Sequence, residues 1–191
     1  MPGLNDPAQI PPLRLQISAG LHGAFLLARG RAEGLLLAAL SPEGVARSFW
    51  AAALCLPAFL GLRLLSSDSS PDLASLVADL SAYAASWAGY ALASRWTAER
   101  LGVLQRWPRF IAAWNWCNVV QYLLLVLILP VPTGLVGSWL GIVTAGYTLW
   151  LEWFVAREAL GLPGGRAVGF VALDVAISLF LTGFVELLSG H

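Results

Sequence analysis

Long apolar blocks, rather than a short alternation of apolar and polar positions, dominate the chain after residue 45. A helix needs about 20 mostly apolar residues to cross the hydrocarbon core of a bilayer, and five blocks approach that length. They predict transmembrane helices over residues 46–65, 73–94, 108–129, 135–155 and 166–188. A serine, a proline and an acid, typical of a helix start, stand before the first block at 41–43 and before the second at 70–72. The pattern therefore predicts an all-α polytopic membrane helix bundle over residues 41–191.

The first 40 residues contain no block of spanning length. Residues 1–12 hold four prolines and are predicted to be disordered. Residues 13–40 contain apolar clusters, but Arg29, Arg31 and Glu33 interrupt them. We expect a cytoplasmic, interfacial amphipathic segment there, as one helix or two short ones. A signal peptide is not predicted, because no basic start leads directly into an apolar core.

Composition supports the membrane class. Apolar residues make up 58% of the chain and charged residues 12%, against roughly 45–50% and about 25% in soluble domains. The formal net charge is zero, so no global excess of positive charge suggests nucleic acid as a partner. Cys55 and Cys117 both fall inside apolar blocks. We interpret them as small buried side chains rather than a disulfide.

The arginines predict the orientation. With five spans, ten of the eleven arginines fall on one side of the membrane and only Arg63 falls on the other. Positive residues near short loops favour the cytoplasm. We therefore expect a multi-pass protein of a bacterial cytoplasmic (inner) membrane, with its N-terminus in the cytoplasm and its C-terminus in the periplasm. Tryptophans agree with this orientation, since Trp50, Trp96, Trp107 and Trp150 fall near the arginine-rich ends of the blocks.

A polar stripe runs along the third predicted span. At 100° per residue, Asn115, Asn118 and Gln121 follow one another at 60° intervals on the helix surface. A carboxamide facing lipid would leave its donors and acceptors unsatisfied, at a cost of several kcal/mol. The stripe is therefore predicted to face other helices.

Acidic residues are predicted near this stripe. An acid within a membrane is by default a candidate functional residue with a partner to be identified. We expect the two asparagines to pair with Asp174, and Arg109 or Arg157 to pair with Glu152. Asp79 is expected to reach the outer interface or to pair with Tyr83. The cluster would serve either as a protonatable or ion-binding site, or as a clamp that only holds helices together.

Small residues recur at every fourth position on the second and fourth spans. They are Ser81, Ala85 and Gly89 on the second span, and Gly137 and Gly141 on the fourth. Such faces let two helix backbones approach closely. We expect both faces to be buried packing surfaces, with homodimerisation through Gly137 and Gly141 as the alternative.

Catalytic and metal-binding patterns are not recognisable. The glycines at 161–169 follow no strand and lack a GK[ST] sequence, so we interpret them as a tight turn. His22 and His191 are far apart, and no serine has a G-x-S-x-G setting. We therefore predict no catalytic residue, no metal and no cofactor, and we expect a protein that is not an enzyme.

The stretch RWPRFIAAWNW at residues 106–116 enters the third span. Together with five spans and a cytoplasmic N-terminal segment, it resembles the bacterial members of the Yip1-like membrane proteins. The resemblance covers residues 41–188 and implies a polytopic helical fold with no catalytic residue. Eukaryotic relatives are associated with membrane traffic and small GTPases, and no role of the bacterial ones carries over.

Two functions follow as expectations. The first is a non-enzymatic scaffold, assembly or trafficking-type factor, meeting other membrane proteins or anionic lipid of the bilayer through the N-terminal segment and the arginine-rich face. The alternative is a small transporter or an ion or proton channel, formed by one chain or by a homo-oligomer. It would use the intramembrane cluster of Asn115, Asn118, Gln121, Glu152 and Asp174.

Overall fold

The described part of the chain is helical. A computed structural model describes residues 12–66, 73–131 and 134–189, and contains no strand within these ranges. Its helices are α1 (Leu13–Leu27), α2 (Pro42–Ser48), α3 (Trp50–Ser66), α4 (Leu73–Arg100), α5 (Trp107–Ile128), α6 (Leu135–Leu160) and α7 (Gly164–Ser189). Short 3-10 helices cover Ala32–Leu37 and Leu104–Arg106. The predicted disorder at 1–11 and the predicted helix start at 70–72 lie outside the described residues.

The helices α3, α5 and α7 run in one direction, and α4 and α6 run in the other. Side-chain contacts join the ends of successive helices, and the pairs are Arg63–Asp79, Trp107–Ser94, Arg106–Leu160 and Trp153–Gly164. We call the end of the bundle where α4 and α6 end and α5 and α7 begin the arginine-rich end. The other is called the opposite end.

Three helical regions are long and apolar enough to cross a membrane. They are Pro42–Leu65, Leu104–Ile128 and Gly164–Val185, and they contain α2 with α3, α5, and α7. The helices between them, α4 and α6, have 28 and 26 residues and so reach about 40 Å. Both are long enough to cross, and α4 is the less apolar of the two. The prediction of an all-α protein with apolar helices of membrane-spanning length is therefore confirmed.

The first half of α5 is the centre of the bundle. Every residue from Phe110 to Cys117 is buried, because α1, α2, α3, α4 and α6 contact α5 and a ring of α7 packs against Phe110. Aromatic rings fill the space toward α4 and α7: Tyr90 lies 4.3 Å from Trp114 and Phe110 lies 5.3 Å from Phe170, between ring centroids. Ring pairs at such distances add stability beyond the area that they bury. This block is the longest continuous buried stretch among the described residues.

Residues 13–40 form a helical hairpin that packs against the bundle. The helix α1 and the 3-10 helix Ala32–Leu37 meet where Gly23 and Gly34 approach backbone to backbone. Gly20 lies directly against the ring of Trp116 on α5, where a Cβ atom would be 2.3 Å from the indole. Glycine is required at these positions because any side chain would push the two elements apart.

The tip of this N-terminal hairpin reaches α6. The hydroxyl of Tyr147 donates a hydrogen bond to the carbonyl of Ala28, and Gly30 lies beside the ring of Trp150. These α6 residues are 10 to 13 positions before the end of the helix at Leu160, or roughly 15–20 Å along its axis. The hairpin therefore covers the flank of the bundle, and an interfacial location in the bilayer stays a prediction.

The small-residue faces differ from expectation. Ser81 and Ala85 are exposed, and a Cβ atom at Gly141 would meet nothing within 4 Å, so these positions pack against none of the described helices. Only Gly89 approaches a neighbour, since a Cβ atom there would lie 3.8 Å from the side chain of Ile177, and Gly137 is half-buried. The physical reason is that α4 buries the opposite face, where its large aromatic side chains reach the core.

Candidate functional site

The candidate site is a cleft between α5, α6 and α7 that contains two acids. Glu152 of α6 and Asp174 of α7 line it together with Asn118 and Gln121 of α5, and its volume is about 290 Å³. The two carboxyl groups interact with each other. Four of the five residues in the predicted polar cluster therefore line one cleft, and Asn115 does not.

A tight turn places the two acids at the same level. The helix α6 ends at Gly161, which adopts a left-handed conformation with φ of 63°, and α7 begins at Gly164. Glycine is favoured there because it has no Cβ atom to strain the backbone. Glu152 lies eight residues before the end of α6 and Asp174 lies ten residues after the start of α7. In two antiparallel helices with so short a connection, these positions face each other.

Glu152 is incompletely satisfied. The residue is 8% exposed, and its Oε1 atom accepts a hydrogen bond from Nε2 of Gln121 at 3.3 Å. Its Oε2 atom is buried and has no hydrogen-bond donor among the described residues. An ionised carboxylate only accepts hydrogen bonds, and Asp174 in the same state has no proton to donate. A proton or a small cation between the two carboxyl groups would complete the pair.

The asparagines of the stripe bond elsewhere. Asn115 is fully buried, and its Nδ2 atom donates to Oγ of Ser48 at 2.7 Å, while its Oδ1 atom has no hydrogen-bond partner in the described ranges. Asn118 donates to the backbone carbonyl of Trp114 at 3.0 Å. The predicted pairing of both with Asp174 is therefore wrong. Since the stripe turns by 60° every three residues, its first member faces α2 and its last faces α6.

Glu152 has no arginine partner in the part of the chain that the structure describes. Nε of Arg157 lies 3.6 Å from Oε1 of Glu158, and Arg109 lines a different cavity at the arginine-rich end. The prediction that one of these arginines pairs with Glu152 is wrong. Both are too near the end of their helices to reach a residue that lies two turns inside the bundle.

A second cavity continues the cleft toward the opposite end. It has a volume of about 440 Å³ between α3, α4, α5 and α7, and Tyr122 and Ser178 line both it and the cleft. At its edge, Nε of Arg63 donates to Oδ2 of Asp79 at 2.7 Å. Asp79 was not expected to form this pair. The sequence did indicate this pair, because Arg63 lies near the end of α3 and Asp79 lies near the start of the next helix, α4.

The cleft has different neighbours at its two sides. Toward the opposite end it meets the cavity that contains the Arg63–Asp79 pair. Toward the arginine-rich end it meets the buried block from Phe110 to Cys117. The cleft thus shares walls with the cavity at the opposite end, and the buried block lies between it and the arginine-rich end. Among the described residues, no group of three or more His, Cys, Asp or Glu side chains has the geometry of a metal site.

No protein-family model, curated protein or solved structure matches this chain. Its function is therefore inferred from the geometry of the cleft and of the helices around it.

Proposed function

We propose that this chain is a non-enzymatic, multi-pass membrane protein that binds a proton at the Glu152–Asp174 pair and moves it through the bundle. A small monovalent cation is the competing occupant. The observation that carries the proposal is the buried Oε2 atom of Glu152, which faces a second carboxyl group and has no donor within the described ranges.

Helix direction supports five crossings. The three helices α3, α5 and α7 are long and apolar enough to span, and they run in the same direction. A chain that crosses three times in one direction must return twice between those crossings. The helix α4 lies between α3 and α5 in the chain, and α6 lies between α5 and α7, so these two are the returning segments. Each is about 40 Å long. Five crossings place the two termini on opposite sides, with the arginine-rich end in the cytoplasm of a bacterial inner membrane.

Burial explains why a proton, rather than a permanently charged basic side chain, would neutralise the pair. The other polar or titratable groups near the pair come from three helices. They are Cys117, Asn118, Gln121 and Tyr122 from α5, Tyr90 from α4 and Ser178 from α7. All of these are neutral side chains at neutral pH. Two carboxylates at such close range repel strongly in a medium of low dielectric constant. A proton removes that repulsion without requiring a permanent basic partner.

Access from one side at a time is what a carrier requires. The cleft that contains the pair shares Tyr122 and Ser178 with the cavity at the opposite end, and the buried Phe110–Cys117 block lies toward the arginine-rich end. In that direction, Asn115 and Ser48 form a buried polar contact, and Ser48 also lines a cavity of about 380 Å³ beside the N-terminal hairpin. In the proposed cycle this region loosens to admit the proton from the cytoplasm.

Proton flux into proteoliposomes tests the proposal. The full chain is reconstituted with a trapped pH-sensitive dye, and a potassium diffusion potential drives uptake. We expect the wild type to acidify the lumen and both Glu152→Gln and Asp174→Asn to reduce the rate at least about tenfold, which corresponds to about 1.4 kcal/mol in the barrier. A sodium gradient at constant pH is the second arm, and flux there alone would identify the cation as sodium.

Glu158→Gln is the matched control. It makes the same change on the same helix, outside the cleft and at the arginine-rich end. We expect its flux to equal that of the wild type. Absence of proton and sodium flux in the wild type contradicts the proposal, and so does undiminished flux in both cleft variants.

A scaffold or assembly role is the second candidate, favoured by the small residues that meet no described helix. Ser81 and Ala85 on α4 and Gly141 on α6 are open to a further helix, from a second copy or from another membrane protein. The resemblance to Yip1-like proteins stays a prediction that would fit this role. Cysteine substitution at Ala85 followed by cross-linking in native membranes tests it. A partner or a homodimer captured at Ala85, but not at the lipid-facing Leu179, supports this role.

A further inference from the structure

The arginine-rich end contains a cavity that the proposed function does not use. Its volume is about 500 Å³, and its lining includes Leu40, Gln105, Arg106, Pro108, Arg109 and Glu158. We infer that this cavity binds a phosphate group, either of an anionic lipid headgroup or of a free phosphate ion. The inference is independent of proton transport, since the cavity and the carboxyl pair lie at different levels of the bundle.

Arg109 supplies the main contact. It lies in the first turn of α5, and its Nε atom is buried without a hydrogen-bond acceptor among the described residues. A buried donor without an acceptor is costly, but the side chain of Arg109 as a whole is half-buried and lines the cavity, so the rest of its guanidinium group is available to a phosphate. The amide groups at the start of a long helix add partial positive charge at the same place.

Arg106 is held in place beside it. One of its terminal nitrogens, NH1, donates to the carbonyl of Leu160 at 2.9 Å. Gly161 makes this possible: a Cβ atom there would lie 1.9 Å from the same nitrogen, and its φ of +63° also disfavours other residues. The guanidinium group is thus positioned at the cavity before any ligand binds. Preorganised donors lose less entropy when an anion arrives.

The charge balance favours an anion. Two guanidinium groups line the cavity together with one carboxylate, Glu158, whose Oε1 atom lies 3.6 Å from Nε of Arg157. Part of the negative charge of Glu158 is therefore offset by an arginine that does not line the cavity. Guanidinium groups bind phosphate through paired hydrogen bonds, and the cavity has room for the ester group of a lipid as well as the phosphate.

Leu40 closes one side of the cavity. It follows the second element of the N-terminal hairpin and is 59% exposed. It therefore offers an apolar surface next to two arginines, which suits the boundary between a headgroup and its acyl chains. In the proposed orientation the arginine-rich end lies at the cytoplasmic headgroup layer, where anionic lipids attract basic residues.

Native mass spectrometry of the full chain tests the inference. The protein is delipidated in mild detergent and mixed with phosphatidylglycerol or with phosphatidylcholine, and in a parallel arm its thermal unfolding is followed with added inorganic phosphate. We expect the wild type to retain one phosphatidylglycerol per chain. Arg109→Gln should reduce that occupancy about tenfold, the effect of losing one charge-assisted contact.

Two further variants make the result decisive. Arg95→Gln removes an exposed arginine of α4 near the same end and should retain lipid like the wild type. Leu40→Glu leaves Arg109 untouched but places a negative charge at the cavity, and should lose lipid like Arg109→Gln. Stabilisation of the wild type by inorganic phosphate, absent in both cavity variants, would identify the free ion as the ligand.

The inference is overturned by any of three results. One is equal lipid occupancy and equal phosphate response in Arg109→Gln and the wild type. Another is an equal loss of bound lipid in Arg95→Gln, which would indicate that lipid binds through the general positive charge of the surface and not in the cavity. The last is a loss of bound lipid in Arg109→Gln while Leu40→Glu binds lipid like the wild type. That result would indicate that Arg109→Gln damages the fold rather than the cavity.

Discussion

Gly34→Ala should separate the two elements of the N-terminal hairpin, α1 and the 3-10 helix Ala32–Leu37. A Cβ atom at residue 34 would lie 2.3 Å from the backbone oxygen of Gly23 and 2.9 Å from Cγ of Leu27. The first of these is a backbone atom, so no rotamer change relieves the contact. The φ angle of Gly34 is not positive, and the effect is therefore steric and not a matter of backbone conformation.

The magnitude follows from two opposing effects. Overpacking a well-packed contact costs about 1–3 kcal/mol, and a backbone neighbour puts this case at the upper end. Glycine to alanine also lowers the entropy of the unfolded chain, which returns about 0.4–1 kcal/mol. A net loss of about 2 kcal/mol raises the population of the opened hairpin roughly 30-fold.

Hydrogen exchange and limited proteolysis measure this opening in detergent micelles. We expect the amides of α1 to exchange faster in Gly34→Ala and trypsin to cut sooner after Arg29 and Arg31, which lie in the exposed tip. Gly169→Ala is the matched control, because a Cβ atom there would meet nothing within 4 Å. In a helix interior that change should be neutral or favourable by up to about 1 kcal/mol.

The result that refutes this reasoning is protection of α1 in Gly34→Ala equal to that in the wild type and in Gly169→Ala. The two elements would then not be in backbone contact, and the hairpin would have to be packed differently.

Three other measurements test the fold. Arg63→Gln should lower the unfolding temperature, because the buried Asp79 loses its ion-pair partner; the expected cost is about 1–3 kcal/mol after allowance for the partial exposure of the arginine. Adding Asp79→Asn should recover part of this stability. Additive losses in the double variant would mean that the two side chains are not coupled. Asn115→Ala should cost about 1–3 kcal/mol, because Ser48 loses its buried partner; an unchanged unfolding curve would contradict the described contact. Reporter fusions at the two termini should report opposite compartments, and the same compartment for both would exclude an odd number of crossings.

The helices were predictable because block length and hydropathy fix them. The block predicted at 108–129 corresponds to α5 (Trp107–Ile128), and that at 135–155 begins with α6 and ends five residues early. The early end has a physical reason: α6 continues past the apolar block through Arg157 and Glu158, which remain helical because the turn at Gly161 caps them. The first block divides into α2 and α3 at Phe49, a break that its continuous apolar sequence did not indicate.

Side-chain pairings were not predictable in the same way. The helices α5, α6 and α7 are apolar nearly all round, so periodicity does not tell which face meets which neighbour. The polar stripe is visible in the sequence, but the rotation of α5 decides that Asn115 meets Ser48 and Gln121 meets Glu152. The N-terminal hairpin depends on three glycine contacts across separate elements, for which a single sequence gives no signal.

The order of hydropathy along the chain has a consequence for biogenesis. In the proposed topology, the strongly apolar α3 is followed by α4, the least apolar of the five crossing helices. A weakly apolar segment partitions poorly from the translocon into lipid on its own. The Arg63–Asp79 pair would let α4 leave with α3 as a joined hairpin. Loss of this pair should therefore leave α4 stranded at the exit channel and the nascent chain open to quality-control proteases.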